Sequence, residues 1–194
     1  MKRLLMACAA TLLASCGTPA KLNYYTLTAQ DTARGTAPDA RALKIFVGPV
    51  TIPEGVDRPQ MVVRTSPNQV EIEDLDRWGE PLKAAIPRLV AETLARQLGT
   101  SDVMTSRQSA TLDFDFRVAI DIDRFDFSVG EGAAVDATWT LRGGKDSTLR
   151  TGHARVREPG GGGDPQAMAA AQSRAIEKVA GNIAEAIRSQ SSKP

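Results

Sequence analysis

The sequence predicts an α+β domain, a mainly antiparallel sheet packed with two long helices in a single domain. Three observations carry this expectation. Residues 78–98 and 164–189 repeat their apolar side chains at helical spacing, and residues 111–128 alternate strictly between apolar and polar. Two further strand-like runs follow the alternating segment, which favours neighbouring antiparallel strands over the regular strand–helix succession of a parallel sheet.

Before the domain comes a different kind of segment. Lys2 and Arg3 precede the uncharged run Leu4 to Leu13, and small residues follow. That order reads as a secretory signal peptide over residues 1–15. The run is too short to span a bilayer, which takes about 20 apolar residues. Leu13-Ala14-Ser15-Cys16 resembles the lipobox of bacterial lipoproteins. The resemblance implies cleavage between Ser15 and Cys16, with S-diacylglycerol and an N-acyl chain on Cys16. It also implies an outer-membrane anchor on the periplasmic face, because Gly17 replaces the Asp that retains enterobacterial lipoproteins at the inner membrane. Several acyl chains hold far more firmly than one. Cys8 would leave with the signal, so the processed chain could form no internal disulfide and no cysteine-based metal site.

Residues 16–22 read as a short tether, residues 23–190 as the domain and 191–194 as a tail. Loss of Lys2 and Arg3 moves the side-chain balance from +1 to −1, which gives no general attraction to nucleic acid. Aromatic residues are only 5% of the chain, too few to suggest a stacking platform for bases.

Within the domain, order begins at Asn23-Tyr24-Tyr25-Thr26-Leu27, and residues 29–41 are small and polar, a surface loop. Residues 43–50 read as a strand, and 61–64 with 70–72 as a hairpin about Ser66-Pro67-Asn68. The helix over 78–98 places Leu82, Ile86, Leu89, Val90, Leu94 and Leu98 on one face, with Gly99 as its cap. Pro87 predicts a kink, or a start displaced towards residue 85. In 111–128, Leu112 to Ile122 share one face on even numbers, and Phe125 and Phe127 continue it on odd ones. This predicts a bulge near Asp123-Arg124 and a bent strand. Strands over 134–142 and 148–157 follow, linked by a Gly143-Gly144 turn, then a flexible joint at Gly160–Gly163. Asp164-Pro165 supplies the cap and first residue of the second helix, whose inner face carries Met168, Ala171, Ala175, Ile176, Val179, Ile183 and Ile187.

Catalytic patterns are not evident. His153, the one histidine, lies in a strand without a partner histidine. Asp113, Asp115, Asp121, Asp123 and Asp126 lack the spacing of a calcium loop, and the four-glycine run lacks the Lys-Ser/Thr sequel of a phosphate loop. The expectation is a protein without catalysis, metal or separate cofactor.

Three stretches together carry a resemblance: Tyr24-Tyr25-Thr26-Leu27; Val47 to Pro53 leading into Asp57-Arg58-Pro59-Gln60-Met61-Val62-Val63-Arg64; and Asp76-Arg77-Trp78-Gly79-Glu80-Pro81-Leu82. Their order and spacing resemble the PqiC family, the ABC-type transport auxiliary lipoproteins, with Gly55-Val56 departing from the bulkier residue expected before Asp57. The resemblance implies a non-enzymatic subunit of an intermembrane phospholipid transport system, whose partner is a periplasmic MCE-domain channel protein. The chain would dock that channel at the outer membrane and, since a channel-forming partner has several copies, would self-associate into a homo-oligomer. Arg58, Pro59, Gln60, Arg77 and Trp78 become candidate partner-binding residues. Their alternative roles are structural: a loop clamp or an ion pair to Asp57, Asp76 or Glu80 for the arginines, and a core anchor at a helix start for Trp78. The alternative function is an assembly lipoprotein for another envelope machine, such as a secretin or a lipopolysaccharide exporter.

Overall fold

A computed structural model describes residues 20–30, 43–105, 113–144 and 148–191. Ser15, Cys16 and Gly17 lie outside them, as do Leu112, most of the polar loop and the last three residues. Eight strands form one mixed sheet, with two helices. The strands are β1 (Asn23–Tyr25), β2 (Ile45–Thr51), β3 (Gln60–Ser66), β4 (Gln69–Trp78), β5 (Val103–Met104), β6 (Phe116–Ser128), β7 (Gly132–Gly143) and β8 (Leu149–Glu158). The helices are α1 (Leu82–Leu98) and α2 (Pro165–Ser191). The α+β expectation therefore holds, with one refinement: β3–β4, β6–β7 and β7–β8 are antiparallel, whereas β1–β4, β2–β5, β2–β6 and β3–β6 are parallel.

β6 is the axis of the sheet. It pairs with β7 along its whole length, while its other edge is shared by β2 near the start and by β3 at Ser128. The register jumps between Ile122 and Arg124, so Asp123 is the extra residue of a bulge. Without it Phe125 and Phe127 would face away from the helices; with it they are 2% and 1% exposed. β6 begins only at Phe116, although Phe114 before it is buried.

One sheet face meets the helices. Val118, Ile120 and Ile122 on β6 and Val135, Ala137 and Leu141 on β7 join the inner faces of α1 and α2 in one core. Fully burying a side chain of this size contributes about 1.5–3 kcal/mol. Ala171, Ala175, Ala180 and Ala184 are buried along α2, small side chains that let its neighbours approach closely. Asp164 caps this helix as expected, accepting from the backbone N–H of Gln166 at 3.4 Å and of Ala167 at 3.1 Å. The helices are tied by Arg96 Nη2 to Glu177 Oε1 at 2.6 Å and by Arg188 Nη2 donating to the Gln97 carbonyl at 2.7 Å.

Three local expectations need correction. Helix α1 starts at Leu82 despite Pro87, because the Pro81 carbonyl accepts from the N–H groups of Ala84 and Ala85 and fixes the first turn. Pro87 lies inside the helix and is buried. Trp78 ends β4 and does not open the helix. Gly160 is more than a joint: a Cβ there would stand 2.4 Å from Phe127 Cε2, so only glycine permits this approach. Gly161, by contrast, has nothing within 4 Å.

Candidate partner-binding corner

The motif residues, far apart in sequence, meet at the end of the sheet formed by β1, β4 and β3. β1 lies parallel to the last residues of β4, with Asn23 opposite Asp76, Tyr24 opposite Arg77 and Tyr25 opposite Trp78. On the other side of β4, Gln60 pairs with Arg77. Tyr24, Arg77 and Gln60 thus form a row across three strands. The Trp78 N–H donates to the Pro59 carbonyl at 2.7 Å, and the Gly79 N–H to the Tyr25 carbonyl at 2.7 Å. These bonds join the three stretches through backbone rather than side chains.

Asp76 is the hub of the side-chain contacts. Its Oδ1 accepts from Asn23 Nδ2 at 3.0 Å and from the Tyr25 hydroxyl at 2.9 Å. Partial burial first, and then the bond and negative charge of Asp76, push the Tyr25 phenol above its ordinary pKa, so it stays a donor. Nearby, Arg88 Nη2 donates to the Leu27 carbonyl at 2.8 Å and to Glu80 Oε1 at 2.5 Å. It clamps the chain leaving β1 to the first turns of α1. Lys83 Nζ meets Asp57 Oδ2 at 2.5 Å across the loop before β3.

These pairings decide the roles of the two arginines. Asp57 is engaged by Lys83, Asp76 by Asn23 and Tyr25, and Glu80 by Arg88, so neither Arg58 nor Arg77 forms the ion pair anticipated for it. Arg77 Nε turns back to its own strand, 3.4 Å from the Asp74 carbonyl. Arg58 donates its backbone N–H to Val56 O, and its exposed guanidinium makes no ion pair or hydrogen bond among the described residues. Pro59 beside it is exposed, and Gln60 is half-buried. Trp78 is 6% exposed, its ring 6.5 Å from that of Phe125, so it anchors the corner in the core. Gly55, the departure from the motif, has an open surround, and Val56 packs on the core beside it.

Tyr24 was not among the candidates, yet it is the most exposed aromatic here, at 62%. Its sequence signal was the tyrosine pair itself; which ring turned outward depended on the parallel pairing with β4. The resulting surface presents a planar cation, a proline and a phenol ring on a hydrogen-bonded frame. Such groups recognise carboxylates, phosphates and apolar segments. Elsewhere, His153 Nδ1 lies 3.0 Å from Thr138 Oγ1 in the β7–β8 ladder. Asp126 pairs with Arg64 and Arg124, and Asp121 with Thr51. Among the described residues no group of acidic, His or Cys side chains is arranged to hold a metal ion.

Comparison with known proteins agrees with this frame. Residues 25–184 match the family described as the ABC-type transport auxiliary lipoprotein component. A search of the curated proteins finds no match. Among solved structures, protein XCC0632 from Xanthomonas campestris is similar, with a TM-score of 0.67, 20% identity, and 84% of this chain and 92% of that one covered. A second crystal structure, of an uncharacterized protein, has a TM-score of 0.64 at 18% identity, covering 86% and 99%. The PelC dodecamer from Paraburkholderia phytofirmans reaches a TM-score of only 0.39 at 15% identity, over 72% of this chain and 87% of that one. No helix among the described residues is long and apolar enough to cross a membrane. With the match running through nearly the whole domain, this chain belongs to the ABC-type transport auxiliary lipoproteins, the PqiC family.

Proposed function

We propose that this chain is the outer-membrane-anchored docking subunit of an MCE-type phospholipid transport system. Cys16 holds the lipid anchor after cleavage behind Ser15, and the corner around Arg58 meets the periplasmic MCE protein. The domain acts by binding, without catalysis, and several copies associate to match a channel built of several subunits. One observation supports the reading above the others. Among the described residues Arg58 is left unpaired at an exposed edge although three carboxylates lie within the same motif set, and each of those is engaged elsewhere. A cation kept free on a rigid frame suits a partner more than the fold.

Crosslinking in native membranes, purification through a C-terminal tag and identification of the captured protein test this. An MCE-domain protein should be captured by the wild type and lost in Arg58→Glu, at unchanged thermal stability. Capture of a secretin instead, or equal capture by both chains, would overturn the docking assignment. Mass spectrometry of the N-terminal peptide should find acylated Cys16, and Cys16→Ser should release the protein from membranes.

A further inference from the structure

The two ends of the sheet carry opposite charge, and each has an unpaired strand edge. β4 pairs with β1 only at Asp76–Trp78, so among the described residues its outer edge is free over 69–75. That stretch carries Glu71, Glu73 and Asp74, whose carboxylates have no ion pair or side-chain hydrogen bond there. Burial first, and then Glu71, Asp76 and Asp74, push Glu73 above its usual pKa. At the opposite end β8 pairs with β7 through all ten residues and with no other described strand. Its exposed residues include Arg150, Arg155 and Arg157, and its one acid, Glu158, is buried against Arg174 and Lys178. Beside it runs a groove of about 640 Å³ lined by Arg96, Arg155, Arg157, Arg174 and Lys178 against two glutamates. Arg157 pairs with Asp136 at 2.7 Å, and Arg155, opposite Asp136 in the ladder, makes no ion pair of its own among the described residues.

Long free edges are templates for pairing. Here they also expose apolar side chains: Val70 at 47%, Ile72 and Leu75 at 41%, and Leu149 at 62%. Strand direction adds a geometric condition. From the pairings, β8 runs with β6, while β4 runs against it. Copies repeated side by side would therefore bring β8 and the next β4 together antiparallel, with every helix on the same side. We propose that the acidic edge of β4 in one copy pairs with the basic edge of β8 in the next, joining copies head to tail through a continuous sheet. This rests on the reading that the chain self-associates and specifies the surface that does so. A head-to-tail contact closes into a ring when its rotation allows.

The test is the mass of the chain purified from membranes in detergent, measured by sedimentation. Wild type should be an oligomer. Glu71→Lys with Glu73→Lys should weaken association about tenfold or more, as should Arg155→Glu, because each brings like charges together. All three reversals in one chain should restore the assembly, a result that misfolding cannot imitate. An oligomer indifferent to both sets of reversals would overturn the edge pairing and leave self-association standing. A wild-type monomer at high protein concentration would overturn both, while MCE capture through Arg58 would remain a separate result.

Discussion

Along β6, β7 and β8 the chain lays three long strands side by side under α2, and nearly every inward residue is buried. At the β1–β4–β3 corner the strands are short or irregular, several apolar side chains face solvent, and the frame is held by backbone bonds and Asp76. The first region owes its order to repetition: a two-residue period kept over ten or more positions can pack in only one phase. The second owes its order to particular pairs of atoms. Substitutions in the long ladder should therefore register as stability, while at the corner stability and binding should separate residue by residue.

Trp78→Ala gives the largest expected effect, because it is the corner residue that belongs to the core. Loss of a ring packed on Phe125 should cost about 3–5 kcal/mol in urea unfolding. A cost below 1 kcal/mol would make Trp78 a surface residue in function and erase the distinction between the regions at this point. In the ladder, a Cβ on Gly152 would stand 2.1 Å from Trp139 Cζ2 in the adjacent strand. Gly152→Ala should destabilise by about 1–3 kcal/mol through overpacking, and Gly161→Ala, with open space around it, should not.

Asp126 sharpens the comparison through pH. Burial raises its pKa, but the hydrogen bonds and charges of Arg64 and Arg124 together outweigh burial and leave it lowered. Its folded pKa lies below the unfolded value, so its stabilisation is complete above about pH 4 and fades as pH falls through the folded value. Asp126→Asn should cost about 1–2 kcal/mol at neutral pH and flatten the acid limb of the stability curve. An unchanged acid limb would remove Asp126 from the account. The smallest effect on folding belongs to Arg58→Ala, expected within about 0.5 kcal/mol of wild type. Its Tm should not move while partner capture falls. A large fall in Tm would return Arg58 to a structural role.

The parts legible in the sequence were those with a long period or a strong local signal. The phase slip in 111–128 located the bulge at Asp123 because the side chains on either side must reach the same core. Gly99 and Asp164 marked helix ends through backbone chemistry that is local. β1 and β5 have three and two residues, too few to show a period, so the parallel pairings they make had no trace in the pattern. Arg58, Arg77 and Trp78 could be singled out by motif, but their roles could not be assigned. Whether either arginine finds a carboxylate depends on strands brought together from residues 23, 57 and 76.

By itself the sequence determined the α+β class, the inner face of each helix, the bulge of β6 and the family, because periodicity, capping and motif spacing act along the chain. Only the tertiary structure decided that Trp78 is core while Arg58 is exposed, that Gly152 and Gly160 lie under aromatic rings, and that an acidic and a basic edge end the same sheet. Those outcomes depend on which segments become neighbours, and contacts between different strands and helices leave no mark on local pattern.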